Sequence, residues 1–313
     1  MEHDLFKVGM SSRTRDGDLS DLGKELDQLQ ALGVDFVELS AFDFDLIAGG
    51  RIRTSQMATL LDTCRGRDLS YSVHGPLALN FMDTPERLPL HFNLLEASLD
   101  IAAELGAKHY VLHAGMTMET DPALRRDAYH RQREWLTRAG NLAQARDLHV
   151  CVETLFEHDD WKHTPCPGRL AAELEAIAHP NIGATLDFGH SYLKMDAEGR
   201  RSDLVSECAA LAPHARHLHL HDCFGRQEGM WTYTFSEQLA LGLGDLHLPI
   251  GWGDIPWQEL MSQCVLPKDT LFVIELNPRF LHAAGDCLAQ TRALAALARS
   301  GTQTPAEIRM PVT

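Results

Sequence analysis

The feature of this chain that most restricts its fold is a short apolar segment that recurs along almost the whole length. Eight such segments have the length and composition of buried strands. From the second segment onward, their starts are separated by 35, 40, 40, 33, 34 and 55 residues. We predict strands over residues 5–10, 34–39, 69–73, 109–113, 149–154, 182–187, 216–221 and 271–276.

Helical patterns, with apolar residues at positions i, i+3 and i+4, separate most of these strands. The clearest predicted helices cover residues 19–32, 92–105, 123–146, 169–178 and 288–297. A strand followed by a helix, repeated eight times, is typical of a parallel (β/α)8 barrel. A doubly wound sheet fits less well, because it seldom has eight such units and no GxGxxG motif follows the first strand. We therefore predict an α/β fold, a single-domain TIM barrel over residues 1–313.

The long interval before the last strand contains an insertion. Residues 222–253 are rich in glycine and aromatic side chains. A loop after the seventh strand lies at the face of a barrel where barrel enzymes have their active sites. We therefore expect residues 222–253 to contribute to a site, and residues 300–313 to form an irregular C-terminal extension.

Charge and cysteine content limit the partners and the compartment. The chain has 28 Lys and Arg against 44 Asp and Glu, a net charge of −16. This balance argues against a broad basic surface for nucleic acid or anionic membranes. Seven scattered cysteines without a CxxC pair are typical of a reducing compartment. No apolar run has the length of a membrane span and the N-terminus does not resemble a signal peptide, so we expect a cytoplasmic protein.

Residues of the types that bind metal ions follow six consecutive predicted strands. A single histidine or carboxylate at a strand end is usually structural or solvated, but the ends of six barrel strands meet at one mouth. Carboxylates crowded there repel one another unless cations neutralise them, and this donor set suits Zn, Mn or Fe. The residues are His74, His113, Glu153, Asp187 with His190, His219 with His221 and Asp222, and Glu275; the insertion adds Asp245 and His247.

The seventh strand contains the alternating segment HLHLHD. Alternation puts His217, His219 and His221 on one face and the two leucines on the other. We expect the leucines to pack on the helices and the histidines to point into the barrel. His219 is the expected metal ligand, His217 lies deeper as a structural residue, and His221 is at the rim with Asp222.

The motifs HGPLALN, VLHAG, CVETL, LDFGH, HLHLHD, DLHLPIGWGDIPW and VIELNP together resemble the xylose isomerase-like TIM barrels. This superfamily includes the AP endonuclease 2 (endonuclease IV-like) proteins and the sugar phosphate isomerase/epimerase-like proteins, and the resemblance extends from VGMSS to VIELNP. Endonuclease IV-like members hold three metal ions, whereas the isomerases and epimerases typically hold one. Carried over residue by residue, the resemblance implies one ligand set for each of the three metal ions. The first set is His74, His113 and Glu153; the second is Glu153, Asp187, His219 and Glu275; and the third is His190, Asp245 and His247. The single-metal set is the second of these.

Two functions therefore stay open, and charge distinguishes them. Four carboxylates in the mouth, those of Glu153, Asp187, Asp245 and Glu275, carry −4, so three divalent ions would leave +2 and one would leave −2. A positive mouth suits an anionic phosphoester, and we predict first a multinuclear metal-dependent hydrolase with two or three ions of Zn, Mn or Fe per chain. The alternative is a single-metal sugar (phosphate) isomerase or epimerase. A barrel without catalytic function would need an empty mouth, which this ligand set argues against.

Catalytic and substrate contacts can also be proposed from the sequence. Glu153 and Glu275 are the predicted catalytic residues, as acid and base in the isomerase. The loops after the second and sixth strands mix basic and acidic residues, so a small or sugar-containing substrate is favoured over duplex DNA. The residues predicted to contact substrate are Asn80, His221, Asp222, Trp252 and Arg279.

Overall fold

The computed structural model describes residues 6–14, 16–157, 163–227 and 230–300. Its centre is a closed barrel of eight parallel strands, in which each strand pairs with its sequence neighbours and the last pairs with the first. The prediction of a single-domain (β/α)8 TIM barrel is confirmed. The strands are β1 (Val8–Ser11), β2 (Phe36–Ser40), β3 (Ser70–His74), β4 (His109–His113), β5 (His149–Glu153), β6 (Ile182–Asp187), β7 (Ala215–Leu220) and β8 (Leu271–Ile274).

Helices connect and surround the strands. The five predicted helices are present with shifted ends, and α2 and α6 to α9 were not predicted. Helices α6 to α9 have two or three turns, which carry little periodic signal, and α6 is buried along most of its length, so it has no polar face. Helix α2 has 11 residues, as many as the predicted helices α1 and α5. The helices are α1 (Leu22–Leu32), α2 (Thr54–Cys64), α3 (Leu88–Glu104), α4 (Pro122–Gln144), α5 (Pro167–Ile177), α6 (Phe188–Ala197), α7 (Leu204–Leu211), α8 (Phe235–Leu241), α9 (Trp257–Gln263) and α10 (Ala284–Leu297).

Backbone conformation explains where two predicted helices had the wrong ends. Leu19 has a φ of 66°, in the left-handed region, so α1 begins three residues later than predicted. Ala178 has a φ of 49° and caps α5, which ends at Ile177. Residue 5 of the first predicted strand and residues 301–313 of the predicted extension lie outside the described residues.

The alternation predicted for the seventh strand is present in β7. Leu218 and Leu220 are fully buried in the hydrophobic core. His217 and His219 point into the barrel, where both contact Glu38 of β2. The barrel interior is therefore polar at this depth. No helix in the described part of the chain is long and apolar enough to cross a membrane.

Asp222 attaches the long loop to the end of β7. Its Oδ2 accepts hydrogen bonds from the N–H of Gly251 (2.7 Å) and the indole N–H of Trp257 (3.1 Å), and its Oδ1 accepts one from the N–H of Cys223 (3.0 Å). A Cβ at Gly253 would lie 2.2 Å from the carbonyl oxygen of Cys223, so the close passage of the loop requires glycine. The buried carboxylate thus fixes the two ends of the insertion against each other.

We expect Asp222→Asn to lower the free energy of unfolding by about 1–3 kcal/mol, because an amide nitrogen replaces a buried acceptor that faces N–H donors. Chemical denaturation measures the change. Asp127→Asn, at an exposed position of α4, is the matched control and should have little effect. Equal stability of the Asp222 variant and the native protein would contradict the anchoring role.

Candidate active site

All nine residues predicted as metal ligands lie in one connected cluster at the carboxyl end of the barrel. The strand ends supply five of them, and Glu275 follows β8 directly. His190 lies in the first turn of α6, and its main-chain N–H donates to the capping carboxylate of Asp187 (2.7 Å). Asp245 and His247 come from the long loop after β7. The closed barrel thus brings together side chains that are up to 201 residues apart in the sequence, from His74 to Glu275.

Glu153 is at the centre of the cluster. Its Oε2 lies 3.1 Å from Nε2 of His74 and 3.5 Å from Nε2 of His113. Its Oε1 lies 3.0 Å from Nδ1 of His219 and 3.2 Å from Nδ1 of His190. The two carboxylate oxygens therefore serve two separate groups of histidines, which is the arrangement of a carboxylate able to bridge two ligand sets.

His219 joins the carboxylates of the second set. Its Nδ1 lies 3.0 Å from Glu153 and 3.7 Å from Oε2 of Glu275. It also lies 3.6 Å from Oδ2 of Asp187. The other ring nitrogen, Nε2, is 3.2 and 3.3 Å from the two oxygens of Glu38. A hydrogen bond from Nε2–H to Glu38 leaves the lone pair of Nδ1 directed at the three carboxylates.

A third group forms around Asp245. Its Oδ2 is 2.8 Å from Nε2 of His247 and 3.3 Å from Nε2 of His190. His221 stacks on His247 with ring centroids 3.9 Å apart, and its Nε2 is 3.1 Å from Oδ2 of Asp187. This group therefore shares His190 and Asp187 with its neighbours, so the three ligand sets form one continuous site.

The backbone at His247 is in an uncommon conformation. Its φ is 47°, in the left-handed region that favours glycine. The imidazole Nδ1 lies 3.0 Å from the carbonyl oxygen of Glu275, and the N–H of Asn277 donates to the carbonyl oxygen of His247 (2.9 Å). These contacts hold the ring toward Asp245, and such strain is characteristic of functional positions.

Electrostatics couples the carboxylates to the histidines. Burial alone would raise the pKa of Glu153, but the charge of His219 and hydrogen bonds from three histidines hold it well below 4.5. Burial alone would lower the pKa of His219, but Glu275, Glu38 and Glu153 raise it well above 6.5. The carboxylates likewise raise the pKa of His190. Without a cation, the buried negative charge is therefore balanced by protons on histidines.

The donor set fits divalent cations. Several groups of three or four buried or half-buried His, Asp and Glu residues have ligand atoms within 4.8 Å of one another. Oδ1 of Asp245 is buried and has no hydrogen-bond partner among the described residues, so it is an acceptor free for a ligand. Mixed imidazole and carboxylate donors at these separations suit Zn, Mn or Fe.

A cavity of about 670 Å³ opens above the cluster. Glu153, Glu275 and His113 lie in its wall, while Asp187 and His219 are fully buried beneath it. Gln227, Gly244, Asp245 and His247 of the long loop also lie in the wall.

Two residues that were not predicted from the sequence also belong to the site. Glu38 is a carboxylate within an otherwise apolar strand, and the alternation of residues in VDFVELS could have predicted its inward position. No sequence pattern predicted Arg13, because it lies in an irregular loop.

The five residues predicted to contact substrate do not form the described wall of this cavity. Asn80 joins two loops, accepting from the N–H groups of Met82 (2.9 Å) and Met116 (3.1 Å). Asp222 anchors the long loop, and His221 is buried within the cluster. Trp252 packs against Phe280 with ring centroids 5.4 Å apart. These four residues therefore have structural contacts, and their predicted contact with substrate stays a prediction.

Arg279 is the fifth of these residues. Its guanidinium lies 4.9 Å from the ring centroid of Phe235, at the start of α8, and its Nη1 donates to the hydroxyl oxygen of Ser236 (3.5 Å). Its main-chain N–H donates to Asn277, which caps the turn after β8 (3.1 Å). The segment NPRF therefore forms a capped turn, and the substrate contact predicted for Arg279 stays a prediction.

The model of the family described as xylose isomerase-like TIM barrel matches residues 26–291. The chain belongs to this family. No curated protein matches it.

Solved structures with the same fold include a D-tagatose 3-epimerase-like protein (19% identity, TM-score 0.67, covering 93% of this chain and 98% of that one). The TTHB071 protein from Thermus thermophilus, soaked with ZnCl2, has 24% identity and a TM-score of 0.66, with 94% and 99% covered. D-psicose 3-epimerase from Clostridium cellulolyticum, with D-tagatose, has 15% identity and a TM-score of 0.65, with 92% and 99% covered. At these identities the likeness establishes the fold.

The raised pKa values of His190 and His219 predict how stability depends on pH. The protonated histidines stabilise the metal-free fold at pH values below their ordinary pKa of 6.5. This stabilisation is lost as the pH rises through their raised pKa values. Zn²⁺ replaces those protons, so it should raise Tm more at about pH 8 than at about pH 6. Thermal melts of chelator-treated and zinc-loaded protein measure this, and an equal shift at both pH values would contradict it.

Glu38 orients His219, so Glu38→Gln should weaken zinc binding by about 10–100-fold while the fold is retained. A competition titration with a chromogenic chelator measures the affinity. Glu173→Gln is the matched control, because Glu173 is also buried and ion-paired, with Arg133 and Arg169, in α5. Unchanged zinc affinity in the Glu38 variant would show that His219 needs no support.

Proposed function

We propose that this protein is a divalent-metal-dependent isomerase or epimerase of a sugar or sugar derivative. The observation that carries the proposal is the second ligand set, in which Nδ1 of His219 faces the carboxylates of Glu153, Asp187 and Glu275. Two of these carboxylates, Glu153 and Glu275, also line the cavity. Several solved structures with this fold are described as sugar epimerases, which supports this function better than hydrolysis.

The chemistry follows from the residues of this set. A divalent cation held by Glu153, Asp187, His219 and Glu275 would supply Lewis acidity that polarises a substrate carbonyl. The lowered pKa values of Glu153 and Glu275 leave both ionised near neutral pH in the metal-free protein, so each can act as a base.

One carboxylate removes a proton from the carbon beside the carbonyl. If the same carboxyl group returns the proton to the former carbonyl carbon, and the hydroxyl proton of the neighbouring carbon passes to the former carbonyl oxygen, the result is isomerisation. If the other carboxyl group takes up a proton from solvent and delivers it to the opposite face of the same carbon, the result is epimerisation, and the first carboxyl group then returns its proton to solvent. Glu153 and Glu275 come from β5 and β8, three strands apart, so they approach the cavity from different directions.

A multinuclear hydrolase of a phosphoester is the second candidate function. It is favoured by one specific observation, the two further ligand groups formed by His74 and His113 with Glu153 and by His190 and His247 with Asp245. Several cations would make the mouth positive and suited to an anionic ester. An isomerase has no need of ligands at these positions.

Glu153→Gln and Glu275→Gln should each lower kcat for a ketose or aldose by about 10²–10⁴-fold, because an amide cannot exchange a proton with carbon. Proton–deuterium exchange at the substrate carbon, followed by NMR, gives the rate. Metal content is measured alongside, so that loss of the cation is distinguished from loss of the base. Glu173→Gln is the control. Full activity of both variants would refute the proposed roles.

Metal titration separates the two candidate functions. Activity of an isomerase should saturate at about one cation per chain, whereas the hydrolase requires two or three. Chelator-treated protein is reconstituted stepwise with Mn²⁺ or Zn²⁺ and assayed on ketoses, aldoses and phosphodiesters. Phosphodiester turnover that rises only with the second equivalent and is abolished in His113→Ala would favour the hydrolase over our proposal.

A further inference from the structure

A residue with a guanidinium group lies in the wall of the cavity. Arg13 follows β1 by two residues and lines the cavity together with Glu275 and Phe42. Its Nε and Nη2 atoms are buried, and among the described residues neither has a hydrogen-bond partner. These two atoms form one edge of the guanidinium, from which two parallel N–H groups reach the two oxygens of a carboxylate or phosphate.

The loop that carries Arg13 is held in position by α1. The N–H groups of Arg13 and Thr14 donate to the two carboxylate oxygens of Glu25, at 2.5 and 2.9 Å. Glu25 therefore binds the main chain and not the guanidinium. The side chain therefore starts from a fixed main-chain position, which lowers the cost of ordering it on a ligand.

Burial raises the pKa of Glu275 and the charges of His219 and Arg13 lower it, yet Glu275 makes no hydrogen bond with this edge. In the described part of the chain, Arg13 has no ion pair within 4.0 Å. Glu275 instead directs its oxygens at Ser11 (3.2 Å), His219 (3.7 Å) and His247 (3.7 Å). A buried charged donor without an acceptor is unfavourable. An anionic ligand with two adjacent oxygens would remove this penalty.

We propose that Arg13 binds the anionic group, a phosphate monoester or a carboxylate, of the molecule that enters the cavity. The inference that the rest of this molecule is a sugar rests on the proposed function, but the anion site does not. The substrate class is then a sugar phosphate or a sugar acid rather than a neutral sugar. Arg13 acts in binding and specificity, and the proton transfers stay with the carboxylates.

Calorimetric titration of the zinc-loaded protein with inorganic phosphate, and separately with acetate, tests the anion site. In Arg13→Gln the Kd of at least one anion should rise by about tenfold or more, because two charge-assisted hydrogen bonds are lost. Arg13→Lys keeps the positive charge but loses the two parallel N–H groups, so its Kd should lie between those of the native protein and Arg13→Gln. Arg126→Gln removes a cation from the exposed face of α4 and is the matched control. The anion that depends more strongly on Arg13 identifies the group.

Zinc content of the Arg13 variants must equal that of the native protein, since Arg13 is not placed among the metal ligands. If both anions bind the Arg13→Gln variant as tightly as the native protein, they bind through the cations alone and the inference is wrong.

A kinetic comparison separates this inference from the proposed function. A ketohexose and its phosphate monoester are assayed side by side, and Arg13→Gln should raise KM for the ester with little change in kcat. If the neutral sugar is turned over as efficiently as the ester, and Arg13→Gln leaves KM for the ester unchanged, the isomerase stands and the anion site fails. If no sugar is turned over but anion binding depends on Arg13, the anion site stands and the proposed function fails.

Discussion

The structure of the barrel mouth depends on the balance of negative charge that is buried together. Glu38, Glu153 and Asp187 are at most 1% exposed, so water cannot compensate their charges. Each carboxylate therefore has imidazole groups within reach, and the histidines carry the compensating protons when no cation is present. Divalent cations can replace these protons because both are held by the same lone pairs. The mouth is thus suited to exchange protons for metal ions.

The closed barrel makes this concentration of charge possible. Strand register aligns His113 with Glu153 and Asp187 with His219, so ligands from neighbouring strands lie at similar depth. A second polar layer lies below, where Glu38 contacts His217 (3.1 Å) and the hydroxyl of Ser11 lies 2.9 Å from it. His219 has one ring nitrogen in each layer. The lower layer therefore orients the ring, and the upper layer is left free for a ligand.

Segments outside the barrel determine what the mouth can bind. The loop anchored by Asp222 adds Asp245 and His247, which create the third ligand group beside the set that an isomerase needs. The loop after β1 adds Arg13, which lines the cavity and whose Nε and Nη2 have no hydrogen-bond partner within the described chain. Because loops vary while the barrel is retained, metal number and substrate charge can change without altering the carboxylates that we propose to transfer protons.

The sequence by itself determined the repeated strand–helix units, the closed barrel and the nine residues of the ligand cluster, because strand periodicity and the residue type at each strand end are local properties. It did not reveal the partner of each ligand. Glu38 contacts His219, which is 181 residues away in the sequence. Arg13 and Glu275 line the same cavity only in the folded chain. Asn80 and Asp222 had polar side chains in the right segments, yet tertiary contacts with nearby main-chain N–H groups use them for structure. Which polar group faces a cavity depends on competition among hydrogen-bond partners from distant segments, and only the tertiary structure decides that competition.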